Sequence, residues 1–339
     1  MCDNDILIIK GSDVAALLAG QELEVIRTVA KAYAAHARGE SSLPHSTFLR
    51  FPEDPLSRII ALPAYLGDGF DVAGIKWVAS FPSNLERGLD RASAVVILSS
   101  SETGRPEAIV EGSIISARRT AASAALAALA LHQRRGDTSF GLVGCGLINF
   151  EVARYLLASQ PQLRRLVVHD KSRERAEGFS ESCSRHFPQL DVCIAPDLET
   201  VFSHAALVSF ATTAVKPHVF DLSACLPGTT ILHVSLRDLA PEVVLGCDNV
   251  VDDIDHVCRA ETSVHLAEKL SGGREFIRCT LADVLAGNCP VRQPPQVVQV
   301  FSPFGLGVLD VAVGKFVLDL CTARGVGTRV PSFLPTPWN

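Results

Sequence analysis

The 339-residue sequence predicts an α/β protein in which a doubly wound parallel-sheet domain is inserted into a discontinuous α+β domain. Three observations carry that expectation. Before about Ser116, strand-like runs follow one another with only turns between them, which builds an antiparallel or mixed sheet. After it, apolar strands alternate with helices, the pattern of a parallel sheet covered on both faces. The last segment changes again to a strand, a Gly/Pro turn and one long helix that packs back on the first domain. The boundaries fall at 1–118 plus 305–339 for the outer domain and 119–304 for the insert.

The elements follow from periodicity. Gln21 to Arg38 repeats apolar residues at helical spacing, with Leu23, Ile26, Val29, Ala30 and Tyr33 on one face. Ser57–Leu62, Val72–Ala79 and Ala92–Leu98 read as strands, parted by turns such as Leu66-Gly67-Asp68-Gly69 and Phe81-Pro82-Ser83-Asn84. A helix over Thr120–Gln133 leads to a buried strand at Phe140–Val143, a glycine turn and a helix over Phe150–Leu157. Leu166–His169 is a strand and Arg173–Ser184 a helix. Short strands follow near Val192 and at Leu207–Phe210, Thr230–Val234, Asn249–Val251 and Val297–Phe301. Val308–Thr322 is the closing helix.

Composition narrows the function classes. The chain is 47% hydrophobic and 20% charged, with a net charge of -6 and a pI near 5.9, and no basic block offers a surface to nucleic acid or anionic lipid. The start, Met1-Cys2-Asp3-Asn4-Asp5, is the opposite of a basic signal peptide, and Ala121 to Leu131 is too short to cross a bilayer, so a soluble protein is expected. The ten cysteines are scattered without a CxxC pair and sit mostly in apolar runs such as LVGCGL and LDLCTA. They read as reduced core thiols of a cytoplasmic protein.

The most informative segment is Gly144-Cys145-Gly146-Leu147-Ile148-Asn149, directly after an apolar strand and before a helix. Gly144 makes the tight turn, Gly146 lets a pyrophosphate approach the backbone, and the phosphates meet the positive end of the helix. Asn149 replaces the third glycine of this fingerprint, which loosens helix–strand packing and leaves the phosphate chemistry intact. Asp170 ends the next strand (LVVHD), where a carboxylate binds ribose hydroxyls and repels a 2′-phosphate, favouring NAD over NADP. Lys171, Arg173 and Arg175 beside it keep the phosphorylated form open, or simply solvate the helix start.

Other residues carry chemistry less specifically. Lys76 interrupts the apolar strand AGIKWVA, and a charge there is costly unless paired, so it is a functional candidate or a strand-edge lysine facing solvent. Arg118 and Arg119 form a pair at a helix start, where an anion would offset their conflict with the helix dipole; a salt bridge to Glu111 is the plainer reading for Arg118. Asp238 lies beyond the C-terminal end of a parallel strand, where such sheets bind ligands, and on its own reads as a turn-capping Asp, with Glu242 close by. Thr212 and Thr213 end a strand where a nicotinamide ribose would lie. Ser302-Pro303-Phe304-Gly305-Leu306-Gly307 suits close approach of a ring, and Asp310 reads as a cap of the last helix. Asp252-Asp253-Ile254-Asp255-His256 lacks a second set of ligands and reads as a loop, so no metal is expected.

GIKWVASFPSN (Gly74–Asn84), SARRTAA (Ser116–Ala122), the glycine turn and SPFGLGVLD (Ser302–Asp310) come in the order found in the ornithine cyclodeaminase/μ-crystallin family, which the chain resembles over essentially its whole length. The resemblance implies a Rossmann insert binding NAD, an outer domain for substrate and dimerisation, and a homodimer. Within the family, Leu49–Gly67, Asn84–Leu98 and Val234–Val243 are similar to the branch that cleaves N-(2-amino-2-carboxyethyl)-L-glutamate. That implies NAD-dependent oxidation of a C–N bond giving 2,3-diaminopropionate and 2-oxoglutarate, in siderophore or peptide antibiotic biosynthesis. It further implies that Arg50, Lys76 and Arg119 hold substrate carboxylates, with Arg91 a further partner, and that Asp238, as general base, and Lys76 are catalytic. Thr120, Leu147, Ile148, Thr212, Thr213, Ser235 and Gly305 join Gly144, Gly146 and Asp170 at the cofactor. The same fold also serves ornithine or lysine cyclodeaminases, other amino-acid dehydrogenases or ketimine reductases, and a μ-crystallin-like dinucleotide-dependent binding protein.

Overall fold

The computed structural model describes residues 4–134, 136–292, 294 and 296–336. In chain order these form β1 (Ile6–Ile9), α1 (Gly11–Leu17), α2 (Glu22–Ala37), β2 (Ser41–Ser42), β3 (Thr47–Phe51), β4 (Asp54–Leu66), β5 (Val72–Ser80), β6 (Ala92–Ser100), β7 (Pro106–Glu111) and α3 (Ser113–Leu131). Then come β8 (Ser139–Val143), α4 (Leu147–Ser159), β9 (Arg165–His169), α5 (Arg173–His186), β10 (Asp191–Ile194), α6 (Leu198–His204), β11 (Leu207–Phe210) and β12 (Thr230–His233). The chain finishes with α7 (Pro241–Leu245), β13 (Asp248–Val251), α8 (Ile254–Val257), α9 (Ser263–Ser271), β14 (Ile277–Thr280), α10 (Leu281–Leu285), β15 (Gln299–Ser302), α11 (Gly307–Arg324) and β16 (Thr328–Val330). It divides into two compact units, one of residues 1–119 with 306–339 and the other of residues 120–305.

The first unit is built on a mixed sheet of order β16-β1-β7-β6-β5-β4-β2, with β3 on β4. Among the described residues only the β1–β7 pairing is parallel; the others run antiparallel, as consecutive strands joined by short turns, β3 to β7, must. The sequence periodicity misses β1, β7 and β16, which are short and depend on each other for partners. Helix α11 covers one face of the sheet. Its first half is buried all round, from Gly307 to Gly314 and including Val308, Leu309, Val311 and Val313, while Lys315, Asp319 and Thr322 line the outer face of its second half. The fit is close: a Cβ on Gly74 would stand 3.0 Å from Val311 Cγ1 and 2.5 Å from Ile97 O. Strand alternation sends Val72, Lys76 and Ser80 to buried positions and Trp77 to an exposed one.

The second unit is a parallel sheet of order β10-β9-β8-β11-β12-β15-β13-β14. The chain leaves β8 toward β9 on one side and later returns to β11 on the other. The C-terminal end of β8 is therefore a topological switch point, where such sheets bind ligands. Its core is apolar, with Val143, Val167, Val201, Phe202, Phe210 and Ile231 buried together. Strand β14, absent from the sequence reading, closes the edge beside β13.

Candidate functional site

Helix α3 begins at Ser113, several residues before the start read from the sequence. Arg118 and Arg119 therefore lie in its second turn and not at its start, and the dipole argument for an anion there does not hold. The start is capped by Glu111, whose Oε1 accepts Ser113 N at 2.7 Å and whose Oε2 accepts Ile114 N at 3.1 Å.

What holds Arg119 is Asp310. Arg119 Nε stands 2.9 Å from Asp310 Oδ1, and Lys76 Nζ stands 2.7 Å from Asp310 Oδ2 and 3.2 Å from Ser116 Oγ. Lys76 is 2% exposed and Asp310 0%. Asp310 is thus no cap of α11, as the sequence suggested, but the shared anion of two buried cations brought from β5 and α3. Burial, with Arg119 adding to it and Asp310 opposing, brings the Lys76 ammonium down to about 8. The two cations outnumber the anion by one charge. A site in this state favours an anionic ligand, and Arg119 offers a planar carboxylate donor.

The other carboxylate candidates lie elsewhere in the first unit. Arg50 stands on an exposed stretch of β3, its guanidinium 5.6 Å from the Phe48 ring centroid. Arg91 is half-buried and donates from Nη1 to Ser80 Oγ at 2.9 Å; burial lowers its pKa.

In the second unit the glycine turn has the geometry a dinucleotide needs. Gly144 has φ +93°, and a Cβ there would stand 2.5 Å from Ala211 O, so only glycine fits. Nothing lies within 4 Å of a Cβ built on Gly146, and Gly146 and Leu147 are exposed while Val143 to Cys145 are buried. Gly146 is the N-cap of α4 and brings no side chain to cap it. The first-turn N–H groups, including those of Leu147 and Ile148, are thereby left to a phosphate. Asp170 accepts Cys145 N on Oδ2 and Ser172 N on Oδ1, both at 2.9 Å, so its carboxylate is fixed beside the turn with lone pairs remaining for ribose. These residues fit NAD.

Asn149 does the reverse of loosening the turn. Fully buried, it donates from Nδ2 to Val143 O at 2.9 Å and Gly144 O at 2.8 Å, and accepts from Ser209 Oγ at 2.8 Å on Oδ1. It fastens strand, turn and helix where a third glycine would only let them approach.

The chain at the C-terminal ends of β11 and β12 gathers around Asp238, and Ser302 at the end of β15 stands 3.4 Å from His233 behind it. It is 0% exposed and accepts hydrogen bonds from the hydroxyls of Thr212 and Ser235, while His233 Nε2 stands 3.2 Å from Oδ2. Burial raises its pKa, but the bond and charge of His233 and the two hydroxyls outweigh this and hold the carboxyl at about 2. Asp238 is therefore neither an exposed base nor a helix cap; Ala240 is the N-cap of α7, and Glu242 is an exposed residue of that helix's first turn. Leu236 takes φ +67°, strained for a branched residue, in the loop that carries Ser235 and Asp238. Thr213 is exposed and Thr120 half-buried.

Asp252 explains the acidic cluster. Its Oδ1 accepts Phe304 N and its Oδ2 accepts Gly305 N, both at 2.8 Å, and Gly305 turns with φ +91°. Asp253 caps α8 through His256 N at 2.8 Å, and Asp255 pairs with Arg274 at 2.6 Å. Burial raises the Asp252 carboxyl to about 6 against its backbone donors. A separate pocket of 340 Å³, lined by Gln133, Arg134, Pro227, Gly228, Arg292 and Gln296, lies at the start of β12, the end of the strand opposite Asp238.

A parallel sheet with a glycine turn at its switch point, an uncapped helix start and an acid after the second strand defines a dinucleotide-binding protein of the Rossmann class. The chain belongs to the ornithine cyclodeaminase/mu-crystallin family, whose model matches residues 7–325. It is 26% identical to N-((2S)-2-amino-2-carboxyethyl)-L-glutamate dehydrogenase of Staphylococcus aureus, over 97% of this chain and 99% of that one. It is 27% identical to an alanine dehydrogenase of Archaeoglobus fulgidus, over 96% and 98%. Among solved structures, Thermococcus litoralis Δ(1)-pyrroline-2-carboxylate reductase in complex with NADH and L-proline superposes with a TM-score of 0.89 at 25% identity, covering 96% of this chain and all of that one. An archaeal alanine dehydrogenase dimer with bound NAD gives 0.85 at 26%, covering 96% and 99%.

Proposed function

We propose that this chain is an NAD-dependent oxidoreductase that cleaves the C–N bond of N-(2-amino-2-carboxyethyl)-L-glutamate, releasing 2,3-diaminopropionate and 2-oxoglutarate. The observation that carries the reading is the buried excess of positive charge formed by Lys76 and Arg119 around Asp310, which suits a substrate rich in carboxylates. The similarity to the S. aureus dehydrogenase along nearly the full length of both chains supports the choice of substrate.

In this reading the first unit holds substrate and the second holds the dinucleotide. NAD held at the glycine turn by Gly144, Gly146 and Asp170 would supply a hydride acceptor for the carbon next to the substrate nitrogen. Arg119 and Lys76 bind the carboxylate beside that carbon, and Arg50 and Arg91 serve the outlying carboxylates. Asp238 is ionised at every physiological pH. A substrate N–H that displaces the Thr212 or Ser235 hydroxyl removes one of the bonds that hold the carboxyl low, so its proton affinity rises as it meets the amine. The same carboxylate then orients the water that adds to the substrate imine, and the adduct breaks down to keto acid and amine. Thr120, Thr212, Thr213, Ser235 and Gly305 stand with the glycine turn as cofactor contacts.

The exposed apolar residues Leu49, Leu56, Tyr65 and Trp77 on β3 to β5, and the dimeric alanine dehydrogenase, support a homodimer formed through the first unit. The free thiols, of which Cys145, Cys183, Cys258, Cys279 and Cys321 are buried, support a reducing, cytoplasmic setting, and the product supports a role in siderophore or peptide antibiotic biosynthesis. The test is absorbance of NADH on mixing protein, NAD and the proposed substrate, with alanine, proline and ornithine alongside. Stoichiometric NADH and 2-oxoglutarate are expected. NADH from alanine or proline alone would move the assignment to an amino-acid dehydrogenase or cyclic-imine reductase, the reading favoured by the alanine dehydrogenase relative and the proline-bound reductase.

A further inference from the structure

A carboxylate held at about 2 keeps a proton poorly, and its bound partners cannot carry one away. Thr212 and Ser235 are neutral hydroxyls, and His233 is 0% exposed and hydrogen-bond distance from Ser302 Oγ on its far side, at 3.4 Å. We propose that His218 is the proton-relay residue of this site, taking each proton that reaches Asp238 and passing it to solvent; the inference rests on the reading of Asp238 as the base.

The backbone fixes the pair. His218 N and Val219 N both donate to Asp238 O at 2.9 Å, and Val219 forms a β-bridge with Leu239, so the loop after β11 is tied to the loop after β12 beside the carboxylate. The ring orientation then follows from hydrogen-bond chemistry. Nδ1 stands 3.3 Å from Asp238 O, and a carbonyl can only accept, so Nδ1 carries the hydrogen of the neutral ring. Nε2 is left with its lone pair 3.9 Å from Asp238 Oδ1. The side chain is 23% exposed, which gives the ring the access to water that His233 lacks.

The charges around the ring suit it to receive. Burial, Lys171 and His233 lower its proton affinity, and Asp238 raises it; the net shift is downward from 6.5. At pH 7 the ring is therefore mostly neutral, the state with an open Nε2. The step moves one proton. A ring swing of about 1 Å closes the 3.9 Å gap to hydrogen-bond distance; the O–H bond on Asp238 then breaks, an N–H bond forms at Nε2, and transfer from Nε2 to water discharges the proton lost by the substrate amine. His218 acts through Asp238 and needs no contact with substrate.

The test uses the full chain with NAD and N-((2S)-2-amino-2-carboxyethyl)-L-glutamate, comparing wild type with His218→Ala and His218→Gln. Turnover by His218→Ala is expected to fall by about tenfold or more, to recover with added imidazole, and to show an enlarged solvent isotope effect, with NAD affinity unchanged by fluorescence titration. In parallel, imidazole ¹⁵N NMR of wild type is expected to show neutral His218 with its hydrogen on Nδ1, and Asp238→Asn is expected to lower its pKa. Unchanged turnover and isotope effect, or a neutral ring with its hydrogen on Nε2, would overturn the relay. If wild type forms no NADH, the substrate assignment fails, and the NMR tautomer and its response to Asp238→Asn still decide the relay geometry.

Discussion

Exchanging Lys76 for Met and Asp310 for Asn should move stability in opposite directions, although both break the same ion pair. The cluster holds two cations and one anion, so Lys76→Met leaves the neutral pair Arg119–Asp310, while Asp310→Asn leaves two buried cations facing each other. The Lys76 ammonium falls from 10.5 to about 8 on folding, which corresponds to about 3 kcal/mol of unfavourable interaction of its charged form. Because the folded affinity is the lower one, the unfolded chain binds the extra proton between these pH values. The penalty is full below about pH 8 and fades as pH rises to 10.5. Lys76→Met should thus gain up to about 3 kcal/mol at pH 7, a gain that vanishes toward pH 10.5, while turnover is lost. Asp310→Asn should cost about 3–5 kcal/mol, as removal of one partner from a buried ion pair does. Urea unfolding measures both. With a slope of about 3 kcal/mol per molar urea, a 3 kcal/mol change displaces the midpoint by about 1 M. A Lys76→Met midpoint that drops by that amount, and by the same amount at pH 7 and pH 10, would refute the reasoning. Lys76 would then be a structural partner of Asp310 rather than a charge held at a cost for function.

Gly144→Ala should abolish NAD binding and destabilise the second unit, since the new methyl meets Ala211 O in a left-handed turn; a thermal melt with and without NAD reads both effects. Asn149→Ala removes two donors and one acceptor from the same turn and should cost about 1–3 kcal/mol. Its NAD affinity should weaken about tenfold by calorimetric titration, matching about 1.4 kcal/mol, and unchanged affinity would show that the fastening has no bearing on the cofactor. Asp252 gains proton affinity on folding, from 3.8 to about 6, so the folded chain keeps a proton the unfolded chain has lost. Stability should fall by about 3 kcal/mol as pH climbs from 4 to 6, and the difference between wild type and Asp252→Asn in chemical unfolding should show that slope.

Much of the architecture was legible because it rests on local pattern. The strand before Gly144, the helix after it and Asp170 at the end of the next strand stand in one continuous segment, so their roles could be read from spacing. Strands β4 to β6 were read from alternation and turn residues. The short strands β1, β7, β14 and β16 were not, because a run such as Ile6–Ile9 owes its conformation to partners far away in the chain. The start of α3 was misplaced because Glu111 caps it from two residues upstream, with no Ser, Thr, Asn or Asp in the usual position.

The sequence by itself determined the fold class, the dinucleotide turn and the residue types able to hold carboxylates, since these follow from periodicity and from the chemistry of individual side chains. Only the tertiary structure decided who neutralises whom. Asp310 lies 191 positions from Arg119 and 234 from Lys76 by their residue numbers, and the mixed sheet and its covering helix bring the three together in one buried cluster. Asp238 likewise became a low-affinity carboxylate only when the ends of two neighbouring parallel strands, β11 and β12, converged on it. Coulomb energy and desolvation depend on distances of a few ångströms and on the exclusion of water, and neither is written in the order of residues along a chain.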